Sequence, residues 1–377
     1  MAGHQSRIRI WGAASIAIGA LAVVLWVVAM QLSQPPLRKL PEVPLQGVDV
    51  EIAAAVRGAM QRVEQQPRSG AAWGQLAMIL QAHGFDEPAI VCYAGAAERD
   101  PRDPAWPHLR GILLQQGPAG PEAALPVFQR AVNLAPDKPS PRLRLADVLL
   151  DLDDVEGASR EYVKVLKEFP DHPQALYGLA KVAIARWEFQ NALDHLESLQ
   201  ASPYAQRRCS ALRATALERL GNRAAAEEEQ RKLAAVGFDM AWPDEYLDQV
   251  NEQKVGLVAR LQQTRALGME GRLQEAIDLL KDTANRYAES DEAWFALGKL
   301  LAFGAGEQAV GERYMRKGIE LAPQRAEYHQ FLGQLLLSQQ RYEEGADAFR
   351  EAIQRNPAVA ESYFGLGECL LGLRDEA

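Results

Sequence analysis

The sequence predicts an all-α protein built as a solenoid of tandem helix–turn–helix units, and three observations carry that prediction. First, Ala, Leu, Glu, Gln and Arg, all strong helix formers, dominate over the β-branched residues that an extensive sheet needs. Second, Pro101, Pro136, Pro170, Pro323 and Pro357 each close a helical stretch, at separations of 35, 34, 153 and 34 residues. Proline cannot continue a helix, so its recurrence marks a repeated stop. The separation of 153 holds four periods, with one extra residue and an insertion of about sixteen. Third, small residues recur at offsets 8 and 20 of each period (Ala77 with Ala89, Ala146 with Ala158, Gly298 with Gly311), and large ones at 4, 7, 11 and 24. Small residues let paired helices approach, and large ones fill the surrounding volume.

The units are taken in order from the amino terminus. Residues 1–9 form a short basic segment with Arg7 and Arg9. Residues 10–30 are free of charge; as a helix they rise about 31 Å, matching a hydrocarbon core of about 30 Å. Trp11 and Trp26 lie towards the two ends, where indoles settle at membrane interfaces. Val27-Val28-Ala29 would serve as a signal-cleavage site, but the run is longer than the apolar core of a secretory signal. The expectation is an uncleaved single-pass transmembrane helix. Arg7, Arg9 and the amino group outweigh Arg38 and Lys39, so the bulk of the chain is expected on the extracytoplasmic (periplasmic) side of the cell membrane. Residues 31–49 contain four prolines and read as a semi-rigid linker. At 50–69, Ile52, Val56, Ala59, Met60 and Val63 share one helical face, and Pro67 stops a lone capping helix.

Residues 70–240 divide into five repeats beginning at 70, 104, 139, 173 and 207; residues 257–377 hold three more, beginning at 257, 291 and 326, and a partial ninth from 360. The repeat at 104 has an extra residue in its Gly117–Pro121 turn; the repeat at 291 carries another, and its second helix has Gly311 in place of the usual alanine. In the ninth, Arg374-Asp375 reads as the start of a second helix.

The unit at 70–103, with Trp73, Leu76, Ala77, Leu80, Ala89, Tyr93, Ala96 and Pro101 at offsets 4, 7, 8, 11, 20, 24, 27 and 32, resembles the tetratricopeptide repeat (TPR). The resemblance implies a right-handed superhelix whose first helices line a concave, peptide-binding groove. Carried onto this sequence, the groove positions include Arg144, Tyr177, Lys181, Arg265, Phe295, Lys299, Gln330 and Gln334. Four of these are cations within an acidic chain of formal charge −9, interleaved with aromatics, and they suit an extended or helical protein segment carrying carboxylates. The asparagines of the family's two-carboxylate clamp are missing, since Gln75 and Met78, or Arg144 and Asp147, stand there.

Residues 241–256 (AWPDEYLDQVNEQKVG) break the period. Trp242, Tyr246, Leu247 and Val250 are expected to cover the apolar edge exposed where stacking is interrupted, the other readings being a wedge that contacts a peptide or a hinge between two arrays. The break also predicts two semi-independent arrays.

No residue constellation points to chemistry. The six histidines are scattered, without a metal-ligand spacing, and no nucleophile elbow occurs. Cys92, Cys209 and Cys369 lie far apart and read as buried small hydrophobes. The acidic balance argues against nucleic acid as a partner. The expected function is therefore a non-enzymatic, membrane-anchored scaffold without cofactor or metal, which holds a protein partner in an envelope assembly, secretion or maturation complex. The alternative is the substrate-binding or regulatory arm of an enzyme whose catalytic part lies beyond residue 377 or in a partner chain.

Overall fold

The computed structural model describes residues 38–199, 202–235 and 237–375. The expected membrane helix at 10–30 lies outside the described residues, and no helix within them is long and apolar enough to cross a membrane. The described residues form nineteen helices and no strand. After α1 (Val50–Gln65) come five hairpins: α2 (Gly70–Ala82) with α3 (Asp86–Arg99), α4 (Ala105–Gln116) with α5 (Gly120–Leu134), α6 (Pro139–Asp151) with α7 (Val155–Glu168), α8 (Pro173–Ala185) with α9 (Phe189–Glu197), and α10 (Gln206–Arg219) with α11 (Arg223–Ala235). The short α12 (Glu245–Asn251) precedes α13 (Leu257–Met269) with α14 (Leu273–Arg286), α15 (Asp291–Lys299) with α16 (Gln308–Leu321), and α17 (Ala326–Ser338) with α18 (Tyr342–Arg355). The last is α19 (Ala360–Asp375); Arg374 and Asp375 prolong this helix instead of opening a new one.

Local chemistry sets the helix ends. Asp100, Ala135, Phe169, Ala322 and Asn356 each precede a closing proline and have ψ between 69° and 95°. The proline ring excludes the helical conformation from the residue before it, so the second helix of each unit stops there. The turn inside a unit uses a left-handed residue at offset 15: Gly84, Asp153, Trp187, Gly221, Gly271 and Gln340 all have φ between 61° and 80°. Offset 4 supplies another recurring device. Trp73 and Trp294 donate their indole N–H to the carbonyls of Pro67 and Ala288 at 3.0 and 2.9 Å, and Arg142 and His329 reach Pro136 and Pro323 at 3.0 and 2.9 Å. Each side chain satisfies a carbonyl six residues upstream, in the turn left by the previous unit.

The described residues group into two compact units, residues 38–44 with 56–253, and residues 45–55 with 254–375. In the first, Leu143, Ala146, Ala158, Tyr162, Ala175 and Val182 form a buried cluster across three helices, and a second cluster gathers Ala180, Leu196, Ala205 and Cys209. In the second unit, Ile277, Leu280, Trp294, Leu297 and Leu301 form one cluster, and Met315, Tyr328, Leu335 and Leu336 another. Gly298 and Gly311 allow the close α15–α16 approach: a Cβ on Gly298 would come within 2.5 Å of the Met315 backbone nitrogen. The extra residue of the repeat at 291 is absorbed in a single π turn, Leu300–Gly304, at the end of α15. At the start of the second unit, Asp49 accepts bonds from Leu257 N and Tyr287 Oη, while Glu51 pairs with Arg260 and Arg286.

Candidate functional site

The first helices of the first unit carry a groove, and the chain's own insertion lies in it. Asp239 accepts the backbone N–H groups of Arg207 and Arg208 at 2.8 and 2.9 Å, and Met240 N donates to Pro203 O at 3.0 Å. The Trp242 ring lies between Tyr177 and Tyr204, at 5.8 and 6.2 Å, with the Arg208 guanidinium 5.1 Å from its centroid. Asp244 is buried against α4 and α6: both its oxygens meet His108 Nε2, at 3.0 and 2.9 Å, and Arg144 Nη2 stands 3.4 Å away. An imidazole nitrogen facing a carboxylate at that distance carries the proton and donates. Glu245 accepts from Ser140 Oγ, the Tyr246 ring lies 4.7 Å from that of His108, and His83 Nε2 stands 3.3 Å from Gln253 O. Tyr246 and Val250 are buried and Trp242 is half-buried along the ladder of first helices; the expectation that they cover an exposed edge is corrected. The period of the repeats carries no information about where a non-repeating segment will seat.

Burial disfavours the Asp244 carboxylate, yet the hydrogen bonds from His108, the Arg144 charge and the Leu247 N–H outweigh it and hold the pKa below the ordinary value. The same carboxylate caps α12, accepting from Tyr246 N and Leu247 N at 3.2 and 3.3 Å.

Of the groove residues named from sequence, three belong to this unit and all three have partners within the chain. Arg144 serves Asp244, Tyr177 serves Trp242, and Lys181 pairs with Asp147 at 2.9 Å. Sequence reasoning passed over His108, although it stands at offset 5, the register of Tyr177 and Phe295, and that register was the available signal.

The other five lie in the second unit. Arg265, Phe295 and Lys299 line a cavity of about 810 Å³ together with Phe303, Arg325, Tyr328 and Phe331. Phe295 is buried and stacks on Tyr328 at 3.8 Å, so it forms the floor. Lys299 Nζ lies 3.5 Å from the Phe331 ring centroid, and burial there holds its ammonium below the ordinary lysine value. Arg325 is bound to Asp291 and Glu292 at 2.8 and 2.9 Å. Among the described residues, neither Arg265 nor Lys299 has a carboxylate within salt-bridge distance. Gln330 and Gln334 are half-buried on α17; Gln334 lines a separate cavity of about 450 Å³ with Phe364 and Glu368. The lining combines this apolar floor with three cations, Arg265, Lys299 and Arg325, and two carboxylates, Glu292 and Glu327. Among the described residues no group of three or more potential metal ligands comes together.

No curated protein matches the sequence. Among solved structures, MamA (residues 41 to the end) from Desulfovibrio magneticus RS-1 is 17% identical, covering 44% of this chain and 93% of its own, with a TM-score of 0.40. Another MamA crystal structure is 15% identical, covering 54% and 97%, with a TM-score of 0.37. The TPR domain of P58(IPK) is 16% identical, covering 88% and 96%, with a TM-score of 0.29. Residues 120–181 and 331–377 each match a family model described as the tetratricopeptide repeat. These two matches identify tetratricopeptide repeats at 120–181 and 331–377, within an all-helical hairpin architecture.

Proposed function

We propose that the chain is a non-enzymatic scaffold, anchored in the cell membrane by residues 10–30 with its repeats on the extracytoplasmic side. It holds a protein partner there as part of an envelope assembly, secretion or maturation complex. The partner contributes an extended or helical segment bearing carboxylates, which enters the second unit's groove. The observation that carries this reading is the pair Arg265 and Lys299 in the lining of a mainly apolar cavity, neither of them in a salt bridge among the described residues, although Glu292 and Glu327 share that lining. Ammonium and guanidinium groups beside low-dielectric walls attract anionic segments more strongly than the same groups in open solvent. Gln330 and Gln334, further along the same series of first helices, offer amides for backbone recognition.

The test is affinity capture of the full-length chain from detergent extracts of its own membranes, beside the double variant Arg265→Glu, Lys299→Glu. Partners that use the groove should fall at least tenfold in the variant. Recovery of the same partners in the same amounts would refute the groove reading.

A further inference from the structure

We infer that the groove of the first unit is a second, independent binding surface, and that its ligand is a segment combining an aromatic anchor, a buried acid and a second aromatic. The sequence Trp242-Pro243-Asp244-Glu245-Tyr246 occupies it in this structure as a built-in competitor. The observation is the seating itself. Trp242, Asp244 and Tyr246 point inward, while Ala241, Pro243 and Asp248 are exposed. Recognition runs through side chains: Trp242 between Tyr177 and Tyr204, Asp244 on His108 and Arg144, Glu245 on Ser140.

A segment that merely filled space would need apolar groups alone. This one buries an acid on an imidazole and a guanidinium, both contributed by first helices facing the groove. A buried ion-paired carboxylate contributes little net stability compared with an apolar filler, but it selects strongly against a segment lacking it. The segment leads into α12 without regular structure over 237–243, with Phe238 and Met240 largely exposed, and Asp239 and Met240 fasten it by hydrogen bonds to Arg207, Arg208 and Pro203. An external segment of the same chemistry would replace the internal one group for group, at the aromatic seat of Trp242 and the His108–Arg144 seat of Asp244. Because the internal segment is tethered, its effective concentration is high, and an incoming segment competes only when it binds better or when the tethered one is released.

The probe is a fluorescein-labelled synthetic peptide with the sequence of residues 239–253. Its anisotropy is read with the full-length chain in detergent, in unaltered form and with Trp242→Ser, Asp244→Ser and Tyr246→Ser combined. Hydrogen exchange over 240–250 reports whether the tethered segment has left the groove. The expected result is at least tenfold tighter binding to the released variant than to the unaltered chain, and loss of that gain when Arg144→Glu is added. Equal binding, or none, in a variant whose segment exchanges freely and whose helical circular dichroism is intact would overturn the inference. If the triple variant loses its helical signal, Asp244→Asn, which keeps the side chain's shape, takes its place with the same readings. The outcome is separable from the reading of the second unit, since Arg265 and Lys299 take no part in it.

Discussion

Asp244 shows how a single residue sets the first groove. Removing its carboxylate leaves His108 Nε2 buried without an acceptor and Arg144 without its partner. Breaking such a buried pair from one side costs about 3 kcal/mol, so Asp244→Ala should lower the urea midpoint of the first unit accordingly, with Asp244→Asn milder. The pH dependence follows from the sign of the shift. The folded pKa lies below the unfolded one, so the stabilisation is fully present above about pH 4 and disappears as pH falls through the folded value. Glu51, held low chiefly by its hydrogen bonds with Arg260, behaves in the same way in the second unit. Urea midpoints that failed to fall between pH 5 and pH 3 would contradict both assignments. Gln340 supplies a prediction of opposite direction. It holds the left-handed position that Gly84, Gly221 and Gly271 hold elsewhere, and Gln340→Gly should raise stability by up to about 1 kcal/mol in thermal unfolding.

At the scale of elements, the repeats were legible because their determinants are local. A proline forces the residue before it out of the helix, offset 15 takes the left-handed turn, and small residues mark where helices touch. Gly178 illustrates the last of these, since a Cβ there would lie 2.3 Å from the Tyr162 ring. Gly178→Ala should cost about 1–3 kcal/mol by overpacking, read as a lower urea midpoint. The extra residue of the repeat at 291 was also visible in the sequence, but its resolution as a π turn after Lys299 was not. An added residue can be absorbed in a turn, as at Gly117–Gly120, or within a helix, and composition alone does not choose between them. The seating of 239–253 was illegible for a related reason. It depends on His108, Arg144, Tyr177 and Arg208, which belong to four different repeats and come together only once the hairpins stack.

At the scale of the whole chain, the grouping of the helices into two compact units leads us to expect two separable unfolding steps. Trp73, Trp106, Trp187 and Trp242 report on the first unit and Trp294 on the second. In urea, followed by tryptophan fluorescence, Asp244→Ala should move the step dominated by the first four and leave the other in place; a single transition that shifts as one would contradict this division. The two grooves then have different standing: one holds its own chain, and the other presents Arg265 and Lys299 around an aromatic floor. Site-specific photo-crosslinking tests the partner-holding role most directly. A benzophenone amino acid replaces Phe331 in the chain expressed in its own cells. The expected result is a discrete crosslinked protein that disappears with Arg265→Glu and Lys299→Glu; a crosslink that persists in that variant, or none from position 331, would contradict a partner-binding groove in the second unit.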